Sequence, residues 1–377
     1  MNKGHFSWNQ MSARWAVGIV LVACFALTSC QAMPDQAPVL VFRGSSDASA
    51  AVALTETLFV VGDDENNNLR VYDRSRPGLP VSTFDVSDYL QPDSANPEAD
   101  IEGATRVGNR IYWITSHGRN KDGKLHPSRY RFFATDFAVE SGKIAFTPVG
   151  RPCSTLIHQL LNHPAAQSLG LQAATRFDEK LSKKEREKLA PRDEGLNIEA
   201  LAASPDGKTL YIGFRNPRPR HPQTGKPMAL VIPLTNADAV LNGQPARFDA
   251  PILWDLNGLG LRSMEYSPVN KCFWISAGRH DEKSDFALAR WSGNPAAPPT
   301  IVRPLKLGDH FSPEALFYFD GPDLWFLSDD GTRMIPVDSP DDCSADLTDG
   351  RCENKLLANP EKRSFRAAVL QIPISFN

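Results

Sequence analysis

Several common functional signatures are missing from this 377-residue sequence. It has no Gly-x-Ser-x-Gly elbow, no His-Glu-x-x-His and no phosphate-binding glycine-rich loop, which removes the serine-hydrolase, zinc-peptidase and P-loop readings. None of its six cysteines forms a Cys-x-x-Cys, so neither a zinc knuckle nor a thioredoxin-like site is indicated. Its eight histidines are scattered without metal-ligand spacing. A basic excess is absent too. After residue 29 there are 39 basic and 44 acidic side chains, a net of −5, which argues against a nucleic-acid partner. Beyond the first 29 residues no stretch is apolar enough to span a bilayer.

What is present begins with an export signal. Lys3 and Arg14 are the only formal charges before Ser29, and residues 15–27 form a 13-residue apolar core. A permanent spanning helix needs roughly 20 residues. A positive start, a short apolar core and small residues at its end make a secretory signal over 1–29; Met11 is an alternative start. Leu27-Thr28-Ser29-Cys30 resembles the lipobox of bacterial lipoproteins, in which the Cys is acylated and becomes the first mature residue. Gln31 follows, with no Asp to mark inner-membrane retention. The expectation is an outer-membrane lipoprotein facing the periplasm or the exterior. Residues 30–38 would be its tether, with a reach of at most about 28 Å at 3.3–3.6 Å per residue.

Export permits disulfides. Cys343 and Cys352 lie nine apart in a polar loop and are the favoured bridge, leaving Cys153 and Cys272 as the remaining pair.

One unit recurs along the mature chain. A short segment with a Glu leads through a turn to a strongly apolar strand that ends in polar residues. Ile101-Glu102-Gly103 leads to Tyr112-Trp113-Ile114 and then His117-Gly118-Arg119. Ile198-Glu199-Ala200 leads to Tyr211-Ile212 and Arg215-Asn216. Met264-Glu265-Tyr266 leads to Phe273-Trp274-Ile275 and Arg279. Pro313-Glu314-Ala315 leads to Trp325-Phe326-Leu327 and Asp329-Asp330. A fifth copy, Leu58-Phe59-Val60-Val61 ending in Asp63-Asp64, lacks the Glu. In four copies the Glu stands 14 to 17 residues before the charged strand end. Short strands with long-period repetition predict an all-β propeller over 39–377. At roughly 40–50 residues per blade the length allows five or six blades. Helical spacing over about 154–191 predicts two inserted helices, either a solvated cap or a lid. Residues 367–374 read as a strand that completes a blade begun by 38–43.

The set Asp63-Asp64-Glu65-Asn66, Ile101-Glu102-Gly103, Ser116-His117-Gly118-Arg119-Asn120, Asn197-Ile198-Glu199-Ala200, Gly213-Phe214-Arg215-Asn216, Arg262-Ser263-Met264-Glu265 and Ser328-Asp329-Asp330-Gly331 resembles the domain of unknown function 3616 family. The family is more remotely similar to the esterase-like phytase group of propellers. Ala200 departs from its pattern, where Gly is usual. The resemblance supports the propeller and its sites more than any reaction.

In such a fold the first strand of each blade lines the central channel, and carboxylates sharing a channel need compensation. Two arrangements stay open. One is a Ca²⁺ or similar cation held by Glu102, Glu199, Glu265, Glu314, Asp63 and Asp329. The other is a structural ring of Glu–Arg pairs. The functional readings are also two. One is a metal-assisted hydrolase of phosphate or carboxylic esters, with His117, Glu199 and Glu102 as catalytic groups and Arg119, Arg215, Asn216, Arg262 and Arg279 holding the ligand. The other is a non-catalytic binding or scaffold propeller for a sugar, peptide or protein. Acylation at Cys30 predicts that radiolabelled palmitate enters the protein and that Cys30→Ser abolishes both label and membrane association; label retained in the variant would place the anchor elsewhere.

Overall fold

The computed structural model describes Met1 and residues 39–372, except 193, 282 and 284. Cys30, the tether 30–38 and the rest of the signal segment therefore lie outside the described residues, as do 373 and 374 of the expected last strand. No helix among the described residues is long and apolar enough to cross a membrane.

The architecture is mostly β, a five-bladed propeller with short helices. Strand β1 (Val39–Arg43) precedes the first blade. Blade 1 comprises β2 (Ala48–Ala53), β3 (Leu58–Asp63), β4 (Asn68–Asp73) and β5 (Ser82–Asp85). Blade 2 is β6 (Ile101–Val107), β7 (Arg110–Thr115), β8 (Phe132–Glu140) and β9 (Lys143–Cys153). Blade 3 is β10 (Asn197–Ala203), β11 (Leu210–Asn216), β12 (Ala229–Leu234) and β13 (Ile252–Trp254). Blade 4 is β14 (Gly260–Ser267), β15 (Cys272–Gly278), β16 (Phe286–Trp291) and β17 (Thr300–Pro304). Blade 5 starts with β18 (Pro313–Tyr318) and β19 (Leu324–Ser328). A small hairpin, β20 (Met334–Pro336) with β21 (Arg351–Glu353), intervenes. Then β22 (Ser364–Leu370) joins β19, and β1 completes the blade on the outside of β22. The first strands touch in a closed circle: β2, β6, β10, β14, β18 and back to β2.

The expected union of the two chain ends is present. Val39 pairs with Ala368 and Arg43 with Ser364 in an antiparallel ladder. Phe42 fixes it, packing on Phe59 at 5.2 Å, Tyr72 at 5.5 Å and Phe365 at 5.4 Å between ring centroids. Blade-to-blade packing is equally close. Gly213 faces Ala200 across the sheet, and a Cβ there would meet Leu261 Cδ2 of the next blade at 2.7 Å and Ala200 Cβ at 2.8 Å. The glycine opposite thus makes room for the Ala200 methyl.

The insert lies between blades 2 and 3, but as four short helices rather than two: Leu156–Leu161, Pro164–Leu169, Leu171–Thr175 and Lys183–Glu187. Pro164 and left-handed Gly170 interrupt what spacing alone reads as continuous. Leu156, Ile157, Leu160 and Leu161 share one apolar core with Ile198, Phe214 and Leu230, so these helices thicken the wall. Cys343 and Cys352 form the expected bridge, with Cα atoms 5.8 Å apart. Cys153 and Cys272 are free thiols, which corrects the second pairing.

Because Phe42 joins both termini to blade 1, Phe42→Ala should cost about 3–5 kcal/mol of unfolding free energy. Urea titration checks it; a loss below about 1 kcal/mol would mean the closing ladder holds without its aromatic anchor.

Candidate functional site

Each first strand carries a register skip in its ladder with the second strand. The skipped residues are Ser49, Glu102, Glu199, Arg262 and Glu314. A β-bulge re-aims its side chain, and bulges concentrate beside active sites. All five side chains line one cavity of about 1300 Å³ at one end of the axis. Two residues before each bulge stand Asp47, Asp100, Asn197, Gly260 and Ser312, and all but the glycine also line the cavity.

This register corrects the sequence alignment. In blade 4 the equivalent of Glu102 is Arg262, three residues before Glu265. Glu265 instead faces a separate, smaller cavity.

The main cavity has two electrostatic halves. On blades 3 to 5 the charges are paired. Arg215 Nη1 donates to Glu199 Oε1 at 2.8 Å, and Arg262 Nη1 donates to Glu199 Oε2 at 3.0 Å and Glu314 Oε1 at 2.5 Å. Asn197 Nδ2 adds a bond to Glu199 Oε1 at 2.7 Å. All four ion-paired residues, Glu199, Arg215, Arg262 and Glu314, are buried. Burial still raises the Glu314 carboxyl to about 8, against the pull of Arg262.

On blades 1 and 2 carboxylates gather without enough cations. Asp47, Asp64 and Glu65 bring one oxygen each within 4.8 Å of one another, and so do Asp64, Asp100 and Glu102. Asp64 belongs to both groups, and its Oδ1 is buried with no hydrogen-bond partner among the described residues. Burial, then Asp47 and Glu102, push Asp64 well above the usual carboxylate range. Burial, then Asp100 and Glu199, do the same to Glu102. Asp47 rises to about 9 through burial and the nearby Asp329 and Asp63. Arg129 is a local cation on the Asp100 side, paired with Glu98 and, at 3.0 Å, with Asp100. Either acidic group could hold a metal ion.

The roof of this half comes from the segment after β19. Lys355 Nζ reaches Glu65 at 2.6 Å. Gly331 lies against Asp47, where a Cβ would fall 1.7 Å from Oδ1. Arg333 and Arg351 line the rim and are exposed. The sequence reading set this segment aside as a loop; it is a wall of the cavity. Among the described residues of the helical insert, Pro191 and Arg192 reach the cavity, while its leucines pack in the wall.

Several expected site residues lie elsewhere. His117 is buried in the wall, edge-on to Tyr130 at 5.8 Å, with Nδ1 at 2.8 Å from the Thr115 carbonyl oxygen. Burial lowers it to about 4, and it does not line the cavity. Arg119 donates to the carbonyl oxygens of Gly123 and Thr175 at 3.1 and 2.8 Å, tying the insert down. Arg279 pairs with Asp281 at 2.6 Å on the surface. Asn216 Nδ2 bonds the Pro191 carbonyl oxygen at 3.0 Å. Asp63 is held by Ser45 at 2.5 Å and Arg70 at 3.2 Å. Glu102, Glu199, Arg215, Arg262, Glu314 and Asp329 do converge on the cavity. Sequence reasoning missed Asp47, Asp100, Glu98, Arg129 and His126. The recurring Asp/Asn-x-Glu of Asp100-Ile101-Glu102 and Asn197-Ile198-Glu199 was the signal that could have found Asp100.

The two halves should respond oppositely to neutralisation. Arg262→Met leaves Glu199 and Glu314 short of a partner and should cost about 3–5 kcal/mol, whereas Glu102→Gln should raise the melting point in EDTA. The pH dependence follows from the raised carboxyls. A carboxyl whose folded pKa lies above its unfolded value stabilises fully at low pH and loses that contribution as pH rises through the folded value. In EDTA the melting point should therefore fall as pH rises from about 6 to 9, through the values of Glu314 and Asp47. A flat profile would contradict the crowding.

The fold is similar to solved structures at low identity. Myxococcus xanthus glutaminyl cyclase superposes with a TM-score of 0.42 at 9% identity, covering 89% of this chain and 96% of that one. The PQQ-bound form of aldose sugar dehydrogenase from Streptomyces coelicolor gives 0.37 at 11% identity, covering 90% and 100%. No curated protein matches the chain. Residues 47–131, the stretch that carries Asp47, Asp64, Glu65, Asp100, Glu102 and Arg129, match the family model described as Protein of unknown function (DUF3616).

Proposed function

We propose that the main cavity is a divalent-cation site of calcium type and that it hydrolyses anionic esters, phosphate or carboxylic. The observation that carries this reading is Asp64. Its buried, unpartnered oxygen stands where two acidic groups overlap, a position that is costly unless something positive fills it. Asp47, Asp64, Glu65, Asp100 and Glu102 would hold the ion, since hard cations take carboxylate oxygens in flexible number. A cation there supplies Lewis acidity and a more acidic bound water.

The chain's own groups do the rest. Arg333 and Arg351 at the rim attract and orient an anionic ester. His126 lines the cavity beside Asn120, and burial lowers its pKa, so it is neutral near pH 7 and able to accept a proton. It takes the acid–base role that the sequence reading gave to His117. Glu199, fixed by Arg215 and Arg262, keeps the opposite wall rigid rather than serving as a catalytic group.

The alternative is a binding propeller without turnover, favoured by the size of the cavity. The lipobox at Cys30 supports placing either activity in the cell envelope, as an anchored outer-membrane protein.

Calcium added after EDTA should raise the melting point of the wild type, and Asp64→Asn should remove most of that shift. No shift with calcium, magnesium or manganese would overturn the metal reading. A panel of phosphoesters, carboxylic esters and lactones then divides the two functions. The hydrolase reading expects calcium-dependent turnover that slows about 100-fold or more in His126→Ala. Binding of intact substrate without turnover supports the alternative.

A further inference from the structure

The bulges and the main cavity sit at the N-terminal ends of the first strands. At their C-terminal ends, on the other side of the propeller, is a second cavity of about 320 Å³. That is near the lower limit for small-molecule pockets, which run roughly 300–1,000 Å³. The hairpin turns after β2, β6 and β18 and the end of β14 build it.

A guanidinium and a carboxyl face this space without forming an ion pair. Arg106 is fixed by three carbonyl oxygens: Nε donates to Gly108 at 2.6 Å, and Nη1 donates to Ala53 at 2.8 Å and Leu54 at 3.0 Å. Its guanidinium also lies over the Phe137 ring at 4.8 Å. Nη2 donates to no described residue. On blade 4, Glu265 has a buried Oε2 with no partner among the described residues. Burial pushes its carboxyl up to about 8. No ion pair joins Glu265 to Arg106, and Tyr318 lies close enough to feel both. Buried polar atoms in folded proteins are nearly always hydrogen-bonded, so an orphaned carboxyl oxygen beside a cavity asks for a donor. The exposed Asp320 lies near enough to act on Arg106 but forms no ion pair with it, so a guanidinium held rigidly by backbone keeps an edge for a ligand carboxylate.

We propose that this second cavity binds a small zwitterion of the α-amino-acid type, its carboxylate on Arg106 and its ammonium on Glu265 with Tyr318 alongside. Exposed Asp320 at the opening favours entry ammonium-first. The site is independent of the metal cavity, since its residues and those of the acidic groups do not overlap.

Calorimetry on the full chain with glycine, L-serine and L-leucine, beside ethylamine and propionate, tests the proposal. At least one amino acid should bind saturably with a Kd near or below about 1 mM. Both single-charge controls should bind about tenfold more weakly or worse. Glu265→Gln should weaken binding about tenfold while leaving the calcium-induced shift of the melting point unchanged. Arg106→Lys should do likewise, and Tyr318→Phe replaces it if that variant does not fold. The proposal is overturned if no amino acid binds, if a control binds equally well, or if the Glu265→Gln protein binds as the wild type does.

Discussion

Placing carboxylates side by side in a confined space is the constraint on which this structure turns. Like charges raise one another's proton affinity, and removal from water adds to the effect. Five bulges aim one side chain per blade at the axis, and the protein resolves the crowding differently on its two sides. Blades 3 to 5 supply arginines: Arg262 occupies the bulge position itself and bridges Glu199 to Glu314, while Arg215 closes on Glu199 from the next strand. Blades 1 and 2 supply none at the bulge, and Asp64 and Glu102 are left with their proton affinities raised. One face is an ion-pair network in which each carboxylate meets an arginine, although Asn197 Oδ1, Arg215 Nε and Arg262 Nε stay buried without a partner among the described residues. The other is incomplete by itself.

The scaffold must be stiff for such an asymmetry to persist. Trp113, Trp274, Phe59 and Phe273 are buried between or within blades, and the small residues facing them admit close approach. The segment between β19 and β22 brings the disulfide and Lys355 across the acidic side. It therefore couples blade 5 to the Glu65 corner of blade 1 at the mouth of the cavity. On the opposite side of the wheel the helical insert spends its leucines filling the wall.

Much of the fold was legible because the second strands of the blades, β3, β7, β11, β15 and β19, are almost wholly buried and so read as short apolar runs. The outer strands β5, β9 and β17 carry half-exposed patterns and left little trace. The union of residues 39–43 with 364–370 could be anticipated because a closed ring has no other use for an isolated strand at each end. Register was harder. A strand buried on both faces has no polar alternation to fix which residue points where. The bulge in β14 then moves Arg262 into the position that a pattern of Glu residues assigns to Glu265. Blade 1 misled in a second way. Its bulge residue is Ser49 and the copy lacks the Glu, so the sequence points to Asp63, whereas Asp47, Asp64 and Glu65 form the acidic group there. Pairing of Arg119 and Asp63 with backbone and neighbours is tertiary information that no spacing along the chain contains.

The closing ladder has a consequence for the order of synthesis. Among the described strands β1 is the first made and β22 the last, and each is the other's hydrogen-bonding partner. Until β22 emerges, β1 has no sheet to join and β19 keeps a bare edge. Nascent blades 1 to 4 can form locally, but the wheel cannot lock before β22 is made. A chain truncated anywhere before residue 364 retains an open, pairing-competent edge, the kind of surface that templates aggregation. Synthesis of β22 is thereby built into the topology as a checkpoint on assembly.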